Sequence, residues 1–271
     1  MATDVELLEG LSQCWESIGQ VLSALSIPQW SLPTDCPGWD VKAQASHLLG
    51  FEAAHYLGRA AADPDPLADQ RHVHNELGVD NERWIIERAS QEPAQVLAEY
   101  HEVVAARQQQ LAEADLDAVS RTWRGDETMR DQLALRLFDI WVHEQDIRRA
   151  VEMPGSWDTI GARHAISRMM TSLPYIVGRK AKLAEGTVVA ISLWGINEQT
   201  AMATVEDGRG KAVGGADHQP VAAITMSEET FIRVTTGRLA TTAAIEAGDV
   251  VLRGDTDIAR QLAEQLRVVE I

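Results

Sequence analysis

The sequence predicts an α+β protein in two parts, a helical bundle followed by a small sheet with helices over it. Three observations carry this. Apolar residues recur at spacings of three and four through the first half, short β-branched runs alternate with turn residues after position 187, and the composition changes at Met153-Pro154-Gly155-Ser156-Trp157. The boundaries that follow are residues 1–153 for the bundle and 158–271 for the second domain. The 271 residues are 45% hydrophobic and 24% charged, the balance of a folded chain with a real core.

The first helix is expected over 4–26, where Val5, Leu8, Leu11, Trp15, Ile18, Leu22 and Leu25 suggest one apolar stripe. Thr34-Asp35-Cys36-Pro37-Gly38 is a turn-forming run, and a second helix over about 40–61 follows it. The segment 62–69, with Asp63-Pro64 and Asp65-Pro66, is a loop at the bundle's end. Helices are then expected over about 71–88, 93–113 and about 127–151. In the second half a helix over about 159–181 is kinked or interrupted at Pro174. Strands are expected at 187–193, 200–205, 221–226 and 250–252, with helices from Ser227 to Leu239, at 241–247 and at 256–268. The glycines at 208, 210, 214 and 215 belong to hairpins or loops. The sheet is expected to be mainly antiparallel.

Composition limits what such a chain does. Lys and Arg number 24 against 41 Asp and Glu, a net charge of −17, which disfavours binding to a phosphate backbone. No apolar run is long enough to span a membrane and the start is acidic, so the expectation is a cytoplasmic protein with neither nucleic-acid nor membrane partners. Cys14 and Cys36 supply neither a disulfide framework nor a thiolate zinc site and read as buried apolar residues. Of the eight tryptophans, Trp84, Trp123, Trp141 and Trp194 could line pockets, with core packing as the default.

The chemistry concentrates at Asp139 and His143. Four residues apart on a helix, they leave one face a turn apart and can converge on one ion or simply hydrogen-bond each other. A carboxylate and an imidazole in an otherwise apolar helix are costly to bury unless they pair or bind something. His143-Glu144 begins like the HExxH motif, but Ile147 stands where its second histidine belongs. A third ligand must come from elsewhere. His47, inside an apolar helical stretch, ranks first, ahead of His55 and of the His72 and His74 pair, which lie about 200° apart on a helix. Two imidazoles and one carboxylate leave a coordination position free.

Pro33-Thr34-Asp35-Cys36-Pro37-Gly38-Trp39-Asp40-Val41 followed by Ser46-His47-Leu48 resembles the signature of the mycothiol-dependent maleylpyruvate isomerase family, whose first domain is a DinB-like four-helix bundle. Asn75-Glu76 through Asn81-Glu82-Arg83-Trp84 and Asp139-x-x-x-His143-x-x-Asp146 are similar to two further helices of that family. Phe231 to Arg238 and Val250 to Asp255 resemble its sterol-carrier-like C-terminal domain. The resemblance implies a divalent metal, commonly zinc, held by His47, Asp139 and His143, with mycothiol as the thiol cosubstrate and a small electrophile as substrate. It also implies a catalytic arginine from the second domain, with Arg238 the first candidate and Arg233 the second. The family usually has Glu at the position of Asp139, so the reach here is shorter by about 1.5 Å; either the helices approach more closely or the ion is held less tightly. The expected activity is thiol addition, as an isomerase or an S-transferase. A metal-dependent hydrolase, or a non-enzymatic binder of a small apolar ligand with a vestigial metal site, are the alternatives.

Overall fold

A computed structural model describes residues 3–59, 76–122, 124–215 and 217–269. The 62–69 loop, His72, His74, Asn75 and Trp123 lie outside these residues. The chain divides into two units, Met1–Gly161 and Ala162–Glu270.

The first unit is a helical bundle. Helix α1 (Asp4–Ala24) starts on a capping box, in which Thr3 accepts from the Glu6 amide and Glu6 accepts from the Thr3 amide. Its buried face carries Leu7, Leu11, Trp15, Ile18 and Leu22. Val5, expected on this stripe, is 74% exposed, because it sits about 200° around the helix from Leu7. A short 3₁₀ turn (Ile27–Ser31) leads to the 33–40 loop and then to α2 (Val41–His55), which ends several residues before the expected 61, with Gly58 in a left-handed conformation beyond it. Helix α3 (Glu76–Glu87) packs on α2, α4 (Pro93–Leu111) runs against α1 and α2, and α5 (Met129–Ala150) packs on both as well. The four helices α1, α2, α4 and α5 thus enclose the core.

Ahead of α5 lies a hairpin that the sequence analysis does not anticipate. Strands β1 (Val119–Thr122) and β2 (Gly125–Thr128) pair antiparallel. They are short, β1 mostly exposed and β2 mostly half-buried, and neither carries an apolar alternation to read. Thr128 then caps α5 through the Asp131 amide.

The second unit, like the first, bears out the predicted fold class. Its five-stranded sheet has the order β5-β4-β3-β6-β7, from β3 (Val188–Trp194), β4 (Gln199–Glu206), β5 (Arg209–Val213), β6 (Ala222–Ser227) and β7 (Val250–Gly254). Only the β3–β6 pairing is parallel. Strand β5 is the missed member. Asp207 and Gly208, both at positive φ, turn the chain tightly between β4 and β5, so the glycines there mark a hairpin whose second strand is a mostly exposed edge.

Helix α6 (Ile160–Met170) stops before Pro174, which sits in the first turn of α7 (Leu173–Tyr175), and a π-helical turn (Ile176–Lys180) follows. Gly210 is needed where β5 passes α7, since a Cβ there would lie 1.8 Å from the Pro174 carbonyl oxygen. Helices α8 (Glu228–Thr235), α9 (Thr241–Ala247) and α10 (Thr256–Ala263) pack on β3, β6 and β7. Helix α10 is shorter than expected because Val268 donates its amide to the Thr235 carbonyl and the tail leaves the helix to follow α8.

Candidate metal centre

The 33–40 loop builds one wall of the site. Thr34 and Trp39 are tied by the Thr34 amide and hydroxyl, which both donate to the Trp39 carbonyl at 3.0 and 2.8 Å. Gly38 closes this turn at φ 82°, a conformation that side-chain-bearing residues rarely adopt. Asp40 caps α2 by accepting from the Ala43 amide at 2.8 Å. The loop thereby fixes Trp39, whose indole N–H donates to Glu82 at 2.7 Å. Its ring lies 4.9 Å from the His47 ring and 5.7 Å from the His143 ring, centroid to centroid.

Helix α2 contributes His47, and α5 contributes Asp139 and His143. The structure brings these three expected residues together. Asp139 Oδ2 is 3.6 Å from His47 Nε2, and Asp139 Oδ1 is 3.5 Å from His143 Nε2. One ligand atom from each residue lies within 4.8 Å of the others. For zinc bonds of about 2.0 to 2.2 Å, two donors at a tetrahedral angle stand about 3.3 to 3.6 Å apart, and each imidazole lies about that far from one carboxylate oxygen, His47 from Oδ2 and His143 from Oδ1. The side chains of His47 and His143 are 4% and 8% exposed, whereas that of Asp139 is 34% exposed. The cluster therefore opens to solvent on the carboxylate side.

Electrostatics favour the protonation states that ligands need. Burial pushes the His47 imidazole down from 6.5 to about 4, against the opposing pull of Asp139, so the ring is neutral at pH 7. Burial alone would raise the Asp139 carboxyl. His143, His47 and Arg136 outweigh it and hold the group well below the usual carboxylate range. Both ring nitrogens of His47 are buried without a hydrogen-bond partner, and a cation bound at Nε2, the nitrogen beside Asp139, would relieve one of them. This orphaned imidazole, the carboxylate beside it and the oxygen–nitrogen donor set fit a divalent ion such as zinc.

Of the groups that support these three, Asp146 and Asp35 are met in the sequence only within the family-like motifs, and Arg136, Glu52, Arg107 and Arg149 are not reached there. Asp146, fully buried, places Oδ2 at 3.4 Å from His143 Nδ1 and is itself paired with Arg149, which also holds Asp35. Arg136 donates to Asp139 and, through Nε, to Glu52 at 2.7 Å. Glu52 in turn accepts from Arg107 at 2.7 Å. Buried charges at core-facing positions of α2 and α5 are the signal that points to them. His55 stands apart from the three, packed on Phe51 at 4.3 Å, with burial and then Arg136 pushing its imidazole below 6.5. Glu144, beside His143 in sequence, points elsewhere and accepts from Ser17, Ser156 and Arg148. Arg238 lies in the second unit after α8, donating to the Thr236 carbonyl at 3.0 Å. Trp194, suggested as a pocket residue, is 60% exposed, whereas Trp84 and Trp141 are buried.

Fold and site define a two-part protein, a four-helix bundle carrying a two-histidine, one-carboxylate cluster, followed by an α+β unit. Residues 11–148 match the model of the mycothiol maleylpyruvate isomerase N-terminal domain, and residues 177–267 match the SCP-2 sterol transfer family. The chain belongs to the mycothiol maleylpyruvate isomerase family. Among solved structures it is similar to the crystal structure of the mycothiol-dependent maleylpyruvate isomerase, with a TM-score of 0.56 and 14% identity over 93% of both chains. A histidine-to-alanine mutant of that enzyme gives a TM-score of 0.55 at the same identity and coverage. At 14% identity this likeness establishes a shared fold. A comparison with curated proteins finds no match. Among the described residues, no helix is long and apolar enough to cross a membrane.

Proposed function

We propose that the protein is a divalent-metal- and mycothiol-dependent enzyme that delivers a thiolate to an electrophilic small molecule, with zinc as the ion. The observation that carries this is the cluster of His47, Asp139 and His143, which offers one ligand atom from each residue, all within 4.8 Å of one another, with the carboxylate side open to solvent. The membership of the bundle in the isomerase family supports mycothiol as the thiol.

A divalent ion held there would stabilise the anion of a coordinating thiol, giving a nucleophile at neutral pH. The residues divide the remaining work. His47, neutral at pH 7, offers a lone pair without first losing a proton. Asp139, ionised, supplies the single negative charge of the cluster, leaving one positive charge of a divalent ion for an anionic sulfur to balance. Trp39 covers both imidazoles and keeps water from that side. In an isomerisation the thiolate adds to an activated cis double bond, rotation follows about the new single bond, and expulsion of the same thiolate leaves the trans product. In an S-transfer the new carbon–sulfur bond is kept and the adjacent carbanion or enolate takes up a proton. We assign Arg238 the role of binding a substrate carboxylate through its planar, bidentate fork, with Arg233 as the second candidate.

The test combines elemental analysis with a thiol-consumption assay on maleylpyruvate and on model electrophiles. One zinc per chain, lost in His47→Ala and in His143→Ala, is the expected result. Free thiol that falls as product forms assigns transfer, and turnover at constant thiol assigns isomerisation. Turnover without any thiol would replace this function with metal-dependent hydrolysis. Failure of the purified chain to take up any divalent ion would leave only a ligand-binding role. For Arg238→Lys the expected change is a higher KM for substrates bearing a carboxylate.

A further inference from the structure

The guanidinium of Arg136 touches both helices that carry the proposed ligands. It is 2% exposed and lies 4.3 Å above the Phe51 ring. Nη1 donates to Asp139 Oδ2 on α5, Nη2 donates to the Leu48 carbonyl on α2 at 2.9 Å, and Nε donates to Glu52 on α2 at 2.7 Å. Leu48 is the residue after His47. One planar group thus spans from the carboxylate ligand to the backbone beside an imidazole ligand. All three of its nitrogens are engaged. Glu52, held from its other oxygen by Arg107, keeps the guanidinium from turning.

We propose that Arg136 is the positioning residue of the metal centre, setting the gap between α2 and α5 and fixing Asp139 so that Oδ1, on the His143 side, is the oxygen presented to the ion. The proposal rests on the metal-dependent function above. It differs from a purely electrostatic role in sign. A cation beside a metal site repels the ion, so an arginine acting through charge alone would weaken binding, and its removal would tighten it. A positioning arginine does the reverse, and its planar fork matters as much as its charge.

The experiment measures Zn²⁺ affinity of the full chain by competition with a chromophoric chelator, alongside the visible absorption of the Co²⁺ form, which is intense for four ligands and weak for six. Arg136→Lys keeps the charge opposite Glu52 but cannot reach three acceptors in one plane. Its Zn²⁺ affinity is expected to fall about 10- to 100-fold, the usual effect of losing a partner that orients a ligand. The Co²⁺ bands are expected to weaken, with both readings taken well below the melting temperature of the metal-free variant, which is expected to fall as a buried acceptor loses its donor. Should Arg136→Lys fail to fold, Arg136→Gln replaces it, since Glu52 keeps its ion pair with Arg107. In an Asp139→Asn background the same substitution is expected to add little further loss, because the residue acts through Asp139. Unchanged or tighter Zn²⁺ binding by Arg136→Lys, or an undiminished loss in the Asp139→Asn background, would overturn the proposal. If the unsubstituted chain binds no Zn²⁺, the metal function itself falls, and this inference with it.

Discussion

Replacing Glu52 by glutamine removes the charge from the middle of a buried ion triad while leaving the side chain's shape nearly intact. Glu52 is 1% exposed and receives Arg136 Nε on one oxygen and Arg107 Nε on the other, each at 2.7 Å. Arg107 is fully buried and Arg136 nearly so. A glutamine keeps one acceptor oxygen and turns an NH₂ toward the second guanidinium, so at least one N–H loses its partner. Breaking a buried pair from one side costs about 3–5 kcal/mol. Arg136 retains Asp139 and the Leu48 carbonyl, and Arg107 retains Gln110 and the Tyr56 ring, which places the expected loss near the lower figure, about 3 kcal/mol. The assay is urea unfolding of the metal-free chain followed by tryptophan fluorescence. Every tryptophan except Trp194 lies within Met1–Gly161, so the signal follows the bundle. A loss below about 1 kcal/mol, the range of an exposed pair, would refute the argument that this charge is buried and essential.

Two further outcomes follow from the same unit. His47 titrates at 6.5 when unfolded and at about 4 when folded, so folding favours its neutral form. The stability that this contributes is full above pH 6.5 and is lost as the pH falls toward 4, about 3 kcal/mol in all. Urea midpoints of the metal-free protein measured across this window are expected to show the slope, and a His47→Leu variant should be flatter by that amount. Gly50→Ala would place a Cβ 2.4 Å from Trp84 Cβ, so α3 must shift away from α2. The expected cost is about 1–3 kcal/mol, seen as a lower melting temperature, and an unchanged melting temperature would contradict the close packing of these two helices.

The helical bundle is legible in the sequence because its faces repeat at the helical period and its turns are marked by proline, glycine and capping residues. Leu11, Trp15, Ile18 and Leu22 fall where that period places them. The three proposed ligands are legible for a related reason, since a charged or imidazole side chain on an apolar face stands out. Their supports are harder to see. Arg136 and Glu52 look like ordinary helix-surface charges in a one-dimensional reading, and only the approach of α2 to α5 turns them inward against one another. The β1–β2 hairpin and β5 escape detection because these short strands have no fully buried residue to impose alternation. The Asp207-Gly208 pair is the one local signal for the β4–β5 turn, and it is read as a loop unless the strand after it is also considered.

The supports around the three proposed donors have a consequence for folding kinetics. His47 and the α5 pair are far apart in the chain, so no early local structure can gather them. They meet only after α2 and α5 have docked, through Arg136, Glu52 and the core. The bundle is held by groups that make their contacts without an ion, unlike a zinc finger, where the metal organises the chain. Chelation is therefore expected to yield an intact apoprotein with its helix content preserved. On the proposed function an ion would enter last, as cargo loaded into finished scaffolding rather than as a nucleus for its assembly.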